Sequence, residues 1–411
     1  MQKTAWLPLA VAILGPALPL VSNADFLNDS KANLEFRNFY FNSDYRQHKA
    51  LQSKREEWAQ GFILKYDSGY TQGPLGFGVD AISSLGLKLD SGPDRQNTGL
   101  LPVGDDKAPD SYGSFGAAAK IRFSKTTLKA GTLFPSLPTV SPSDSRLLPQ
   151  TFQGVQLTSQ ELDGLTFNAG RLNRNKQRNV SGNELMIVAG EGIRGGRETD
   201  RFDFAGLRYR WNQSLTTLYD YGYLEDNYRQ HMLEAIHVLP IAANQSLRSE
   251  LRYARSTGDG SSNVDNTALG ARFTYSLGTH ALSLGLQKMQ GETGFPRING
   301  TSSYLINFVV LSPNFANPDE RSWQIRYDYD FAAIGIPGLS FMTRYLYGDN
   351  YQLGNGRSAS EWERNSDLGY VFQSGSLKNV QVKWRNGTYR SAGASDLDLN
   401  ALIISYTLPL L

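Results

Sequence analysis

The sequence predicts an all-β chain closed into a transmembrane antiparallel β-barrel, and three observations lead to that fold class. Short segments alternate strictly between apolar and polar residues along the whole chain, which is the period of a strand whose two faces meet different surroundings. The composition, with 40 Gly, 21 Tyr and 20 Phe in 411 residues and a mean hydropathy of −0.40, suits many turns and many aromatic strand positions rather than helices. The N-terminus carries the pattern of an exported protein, and after residue 24 no apolar run is long enough for a spanning helix.

Taken in order, the first element is a secretory leader. Met1 to Lys3 supply a positive start, "WLPLAVAILGPALPLV" an apolar stretch and "SNA" the small residues suited to cleavage after Ala24. Pro8, Pro16 and Pro19 argue against a continuous spanning helix there. Residues 25–411 are therefore expected to form one barrel domain.

Alternating segments then begin near Asn33, Trp58, Pro74, Ser114, Thr127, Phe152, Leu165, Phe202, Leu215, Arg229, Leu247, Leu269, His280, Ser303, Trp323, Leu339, Leu368, Val380 and Leu397. Most are bounded by Gly, Asn, Asp or Ser, giving about eighteen to twenty strands. In "SWQIRYDYDF" (322–331), Trp323, Ile325, Tyr327, Tyr329 and Phe331 share one parity and Gln324, Arg326, Asp328 and Asp330 the other. So many charges at the polar parity cannot fill a dry interior, whereas a membrane barrel turns its apolar parity to lipid and its charged parity to a watery lumen. Arg326 and Asp328 are thus expected inside, and Trp323 and Ile325 outside. The same reasoning predicts that a charge is damaging at Ile325 or Val382 and tolerated at Gln324 or Gln381.

Long stretches such as 88–113 and 289–303 are rich in Gly, Pro and Asp and read as loops. The stretch 131–152 cannot run as a central strand, because Pro135, Pro138, Pro142 and Pro149 remove ladder donors, so it must leave the wall.

Other chemistry is not supported by its context. "GEGIRG" (190–195) has the spacing of a dinucleotide cradle, but an alternating strand follows where a helix would have to open, so a loop is expected. His48, His231, His237 and His280 show no metal-ligand spacing, and there is no nucleophile elbow. The balance of 41 Lys and Arg against 39 Asp and Glu gives no basis for a nucleic-acid partner. Cys is absent, which fits export without disulfides.

Five segments, "LEFRNFYFN" (34–42), "EWAQGFILKYDSGYTQGPLGFGVDA" (57–81), "LGLKLDSG" (85–92), "SDSRLLPQTFQG" (143–154) and "WQIRYDYDFAAIGIPGLSFMTRY" (323–345), are long, ordered and spread over the mature chain. In these the sequence resembles the OprD (Occ) family of substrate-specific outer-membrane porins of Gram-negative bacteria. The resemblance implies an 18-stranded barrel in the outer membrane, an inward-folded third loop that constricts it, and a basic ladder that leads small anions through the eyelet. It implies no cofactor and no reaction. The chain departs from the pattern of outer-membrane barrels by ending on Leu411 rather than on an aromatic residue.

Parity alone points Arg37, Arg326, Arg344, Lys383 and Arg385 inward. The resemblance places ladder residues in the first strand and its neighbouring turn, the third loop, the "RYDYD" strand and the penultimate strand. This carries the role to Arg37, Arg46, Arg146, Arg326 and Arg385, with Arg146 at the narrowest point, and extends it to Lys383, Arg344, Arg171 and Arg174. The expected function is passive uptake of small carboxylates, aromatic or cyclic ones favoured, by a monomer or weak trimer surrounded by outer-membrane lipid and lipopolysaccharide. A channel for basic amino acids and peptides, a barrel enzyme and an adhesin are the alternatives.

Overall fold

Inside a bilayer a backbone N–H finds no water, so a spanning sheet is viable only when every strand has two neighbours. This chain meets that condition in a computed structural model that describes residues 23–46, 52–307, 315–353 and 356–411. The expected leader falls almost entirely outside these residues, as does His48.

A short helix, Asn23–Asn28, precedes twenty strands among the described residues. They are β1 (Lys31–Tyr45), β2 (Lys54–Asp67), β3 (Leu75–Asp90), β4 (Ser111–Phe123), β5 (Thr126–Leu133), β6 (Thr151–Ser159), β7 (Leu165–Lys176), β8 (Val188–Ala189), β9 (Phe202–Arg210) and β10 (Leu215–Leu224). After them come β11 (Tyr228–Ala242), β12 (Gln245–Gly258), β13 (Asp265–Leu277), β14 (His280–Gln290), β15 (Arg297–Ile298), β16 (Arg321–Asp330), β17 (Leu339–Gln352), β18 (Ser358–Val371), β19 (Gln381–Ser391) and β20 (Leu397–Pro409). β8 and β15 pair only with each other, and the remaining strands form one 18-stranded sheet. β1 pairs antiparallel with both β2 and β20, which closes the barrel.

The two-faced strands lie as their parity requires. In β16 the side chains of Trp323 and Ile325 are 37% and 48% exposed on the outer wall, while Ser322 and Gln324 are buried inside. The inner parity of β11 to β13 carries an ion-pair chain in which Arg252 joins Glu234 at 2.8 Å and Glu250 takes Arg248 at 2.9 Å and also Arg272. Outward leucines of the same strands, Leu233, Leu251 and Leu269, are exposed to the lipid side. Inside and outside are thus exchanged relative to a soluble sandwich.

Connections are short at one end. The turn between β11 and β12 has two residues, with Asn244 at a φ of 60°, a geometry that Asn tolerates and that suits a tight hairpin. At the other end, the extracellular one since outer-membrane barrels keep their short turns on the periplasmic side, long segments fold back into the barrel. Leu100, Leu101, Leu147 and Leu148, all from such segments, are fully buried against Phe39, Phe41, Ala59 and Ile63 of the wall.

One expected strand is not in the wall. The stretch beginning at Ser303 lies in the segment between β15 and β16, where the Tyr304 hydroxyl donates to Glu234 at 2.8 Å and Leu305 packs with Met232, Ala254 and Ala268. Its alternation reflects one side lying against the inner wall, a pattern that periodicity cannot distinguish from membership of the sheet. "GEGIRG" falls in the segment between β8 and β9, with Gly195 at a φ of 78° and no helix after it.

Candidate functional site: the constriction and the lumen cations

The proline-rich stretch leaves the wall after Leu133 and returns at Thr151, and between those points it crosses the lumen. At one side it packs on β2, where Gly61 leaves room for Leu147; a Cβ there would lie 3.2 Å from the leucine side chain. At the other it reaches β10, where Asp220 accepts from the Thr139 amide at 3.0 Å and from its hydroxyl at 2.6 Å. Gly222 is needed there, since a Cβ would stand 2.9 Å from the Cβ of Thr139. The loop therefore ties together walls that lie far apart around the barrel.

Arginines position this loop. Arg37 of β1, inward as its parity predicts, donates to Asp144 and to the carbonyl of Arg146, both at 2.7 Å, and is braced by Glu35 at 2.7 Å. The Arg146 guanidinium donates to the carbonyls of Thr98 and Ser145, each at 3.0 Å, and stacks 4.5 Å from the centre of the Phe41 ring. Arg178, from the segment after β7, donates to Ser143 at 3.1 Å and Ser145 at 2.5 Å. Burial, with the nearby charges of Arg178 and Arg385, pushes Arg146 down to about 9. Burial also lowers Arg178, helped by the neighbouring charge of Arg297, and burial lowers Arg297. The constriction thus gathers guanidinium groups where little water screens them.

Below it, Arg326, Arg344, Lys383 and Arg385 line one cavity of about 610 Å³, together with Asp328, Asp330 and Asp367. Arg326 grips Asp328 through two bonds of 2.7 and 2.6 Å, and Arg385 grips Asp367 at 2.8 and 2.6 Å. Arg344 stands directly across from Arg326 in the ladder and donates to Asn365 at 2.9 Å. Among the described residues Lys383 has no hydrogen bond or ion pair; it stands across the ladder from Gly369. Four cations face three carboxylates, of which Asp328 and Asp367 are held by arginines while Asp330 accepts from the Ala332 amide at 2.9 Å.

The other three expected ladder residues lie elsewhere. Arg171 shares the parity of Leu165 and Phe167, faces outward and pairs with Asp203 at 2.5 Å. Arg174 sits beside a bulge in β7, next to the inward Asn175, and reaches Asp200 at 3.6 Å. Arg46, just past β1, pairs at the rim with Asp44 at 3.3 Å and Asp398 at 2.7 Å, both at the outward parity of their strands. The sheet separates the outer parity of Arg171 and Arg174 from the lumen, and Arg46 is held at the rim by its two aspartates.

Sequence reasoning missed Arg178 and Arg297, which come from extracellular segments with no alternation to reveal their direction. It also missed Lys31, Lys65, Lys125 and Lys129, which line a second cavity of about 590 Å³ beneath the loop. Lys65 and Lys129 could have been found, since both lie at the inward parity of strands that were identified. Two of the histidines bond tyrosines on the outer wall: His231 to Tyr219 at 2.9 Å and His280 to Tyr327 at 2.7 Å.

Known proteins carry the same architecture. The family model described as outer membrane porin, OprD family, matches residues 24–410. Porin-like protein GalP of Pseudomonas putida is 40% identical over 406 residues, covering 97% of each chain. The crystal structure of OpdQ from Pseudomonas aeruginosa superposes with a TM-score of 0.88 at 56% identity, covering 95% of this chain and all of that one. OpdK of Pseudomonas aeruginosa, solved with vanillate, gives 0.87 at 39% identity, covering 93% of this chain and all of that one. With a closed 18-stranded barrel and these relatives, the chain belongs to the OprD family of outer membrane porins, and it is a channel of the Gram-negative outer membrane rather than an enzyme.

Proposed function

We propose that the channel passively takes up small carboxylates, with aromatic or cyclic ones favoured, along the lumen cations. The observation that carries this reading is the excess of cations over available carboxylates in the cavity around Lys383, directly below the guanidinium groups of the constriction. Arginine offers a carboxylate two parallel donors, and several partial sites in series let the anion move on before any one traps it. A basic solute has less to bind, since two of the cavity's three carboxylates, Asp328 and Asp367, are held by Arg326 and Arg385, which leaves Asp330 against four cations. The likeness to OpdK, solved with vanillate, an aromatic carboxylate, supports the aromatic preference.

Lys383 provides the test. Lys383→Gln removes a charge that no described carboxylate offsets, so benzoate occupancy in single-channel recordings should fall several-fold, equivalent to about 1 kcal/mol in a wet lumen. The double substitution Arg385→Gln/Asp367→Asn removes a matched pair and should change it much less. Flux of a neutral pentose should stay at the wild-type value in both, and high salt should weaken benzoate binding in the wild type. Benzoate occupancy in Lys383→Gln equal to that of the wild type would rule out a cationic path through this cavity.

A further inference from the structure

Around the extracellular end of the outer wall, charged side chains at the lipid-facing parity neutralise one another. Arg171 and Arg201 share Asp203 at 2.5 and 2.8 Å, Arg229 pairs with Asp259 at 2.7 Å and Arg255 with Asp265 at 2.6 Å. The pattern breaks at β14 and β16. Lys288 stands directly across from Arg321 in the ladder, and Asp349 of β17 is the next residue along that row. Among the described residues neither Lys288 nor Arg321 has a hydrogen bond or ion pair. Like charges facing each other across a ladder are destabilising unless something bridges them.

The position says what could bridge them. Lys288 is two residues from the extracellular end of β14 and Arg321 opens β16, so both lie at headgroup level. Trp323 sits just below with Tyr345 and Tyr347 at ring distances of 5.7 and 6.2 Å, the aromatic girdle that marks the membrane interface. Below the girdle the outer wall is indented into a groove of about 1160 Å³, lined by Leu207, Leu233, Leu251, Leu269 and Leu286 and reaching up to Lys288 and Arg321.

We propose that this groove binds one molecule of the phosphorylated, multiply acylated glycolipid of the outer leaflet, lipopolysaccharide. Its acyl chains lie along the leucines and a lipid A phosphate bridges Lys288 and Arg321. Only a ligand with both an apolar body and an anionic head satisfies both parts of the site. A second copy of the chain fits less well, because a two-fold interface matches the patch with itself and would set these cations against cations with only Asp349 to offset them. The site lies on the outside of the barrel and is independent of the transported solute.

Native mass spectrometry of the full-length barrel in detergent, titrated with diphosphoryl lipid A, tests this. The wild type should retain one lipid A, and Lys288→Gln/Arg321→Gln should weaken retention on the order of tenfold, as two lost contacts to an anionic lipid imply. Lys288→Arg/Arg321→Lys should restore it, and Arg229→Gln, from the paired part of the belt, should leave it unchanged. Unaltered benzoate and pentose conductance in the double glutamine variant establishes that its barrel is folded. Equal retention by that variant overturns the proposal. So does displacement of lipid A by millimolar inorganic phosphate, which would mark a free-anion site, or a lipid-free wild-type dimer that the substitutions make monomeric.

Discussion

Ile325→Arg is expected to destabilise the barrel by about 2–4 kcal/mol in refolding titrations into lipid vesicles, the cost of an arginine near the bilayer midplane on an outer wall. Ile325 is the fifth residue of the ten in β16, outward and about half exposed, in the apolar band between Trp323 and the tyrosines Tyr327 and Tyr329, so a charge there faces lipid hydrocarbon. Ile325→Gln should cost less, because it buries a polar group and no charge. Val382→Arg, at the outward parity of β19, should behave like Ile325→Arg but more mildly, being next to the short-turn end of its strand. Gln381→Arg, on the inner parity, should refold as the wild type does. Equal destabilisation at Ile325 and Gln381 would mean that the two faces are not divided between lipid and water.

Gln324 no longer belongs among the tolerant positions, and the reason shows where the sequence stops being legible. Its parity correctly puts it inside, but inside is not all water: its amide donates to the Ile306 carbonyl at 2.8 Å and to Asn307 at 2.9 Å. Alternation reports which side of the sheet a residue faces, and it placed Arg326, Arg344, Lys383 and Arg385 in the lumen, where the structure gathers them around one cavity. It is silent on what folds back from the far end to meet them. Arg178 and Arg297 reach the centre from segments whose direction is set by tertiary contacts such as Gln150 to Asn175, at 2.8 Å, and Asn175 to the Asn299 carbonyl, at 2.9 Å. Arg171 was misplaced for a different reason: the family pattern supplied the role, while its own parity with Leu165 and Phe167 pointed outward. Local periodicity was the better guide there, because a one-residue step along a strand exchanges lumen for lipid.

Deletion of residues 136–145 is expected to raise single-channel conductance several-fold and to abolish most discrimination between benzoate and a neutral pentose. The deletion removes Thr139, which bonds Asp220 on the far wall, and Asp144, which anchors the loop to Arg37. It also takes away Ser143 and Ser145, the two hydroxyls that hold Arg178. Arg146 is kept, but nothing then fixes it across the opening. The wall should survive, since β5 and β6 pair with each other from Thr126 to Leu133 without any contribution from the deleted residues. A milder change separates the anchor from the obstacle. Asp220→Ala leaves the loop whole but removes both bonds to Thr139, a loss of roughly 1–3 kcal/mol for a buried acceptor with two donors. Burial of Leu147 and Leu148 against β1 and β2, worth about 1.5–3 kcal/mol each, still holds the near end. The loop in that variant should therefore swing about its β2 side, giving a mean conductance close to the wild type with added current fluctuations. Wild-type conductance in the deletion would show that the segment does not obstruct the lumen, and quiet wild-type traces in Asp220→Ala would show that the far-wall anchor does not hold it.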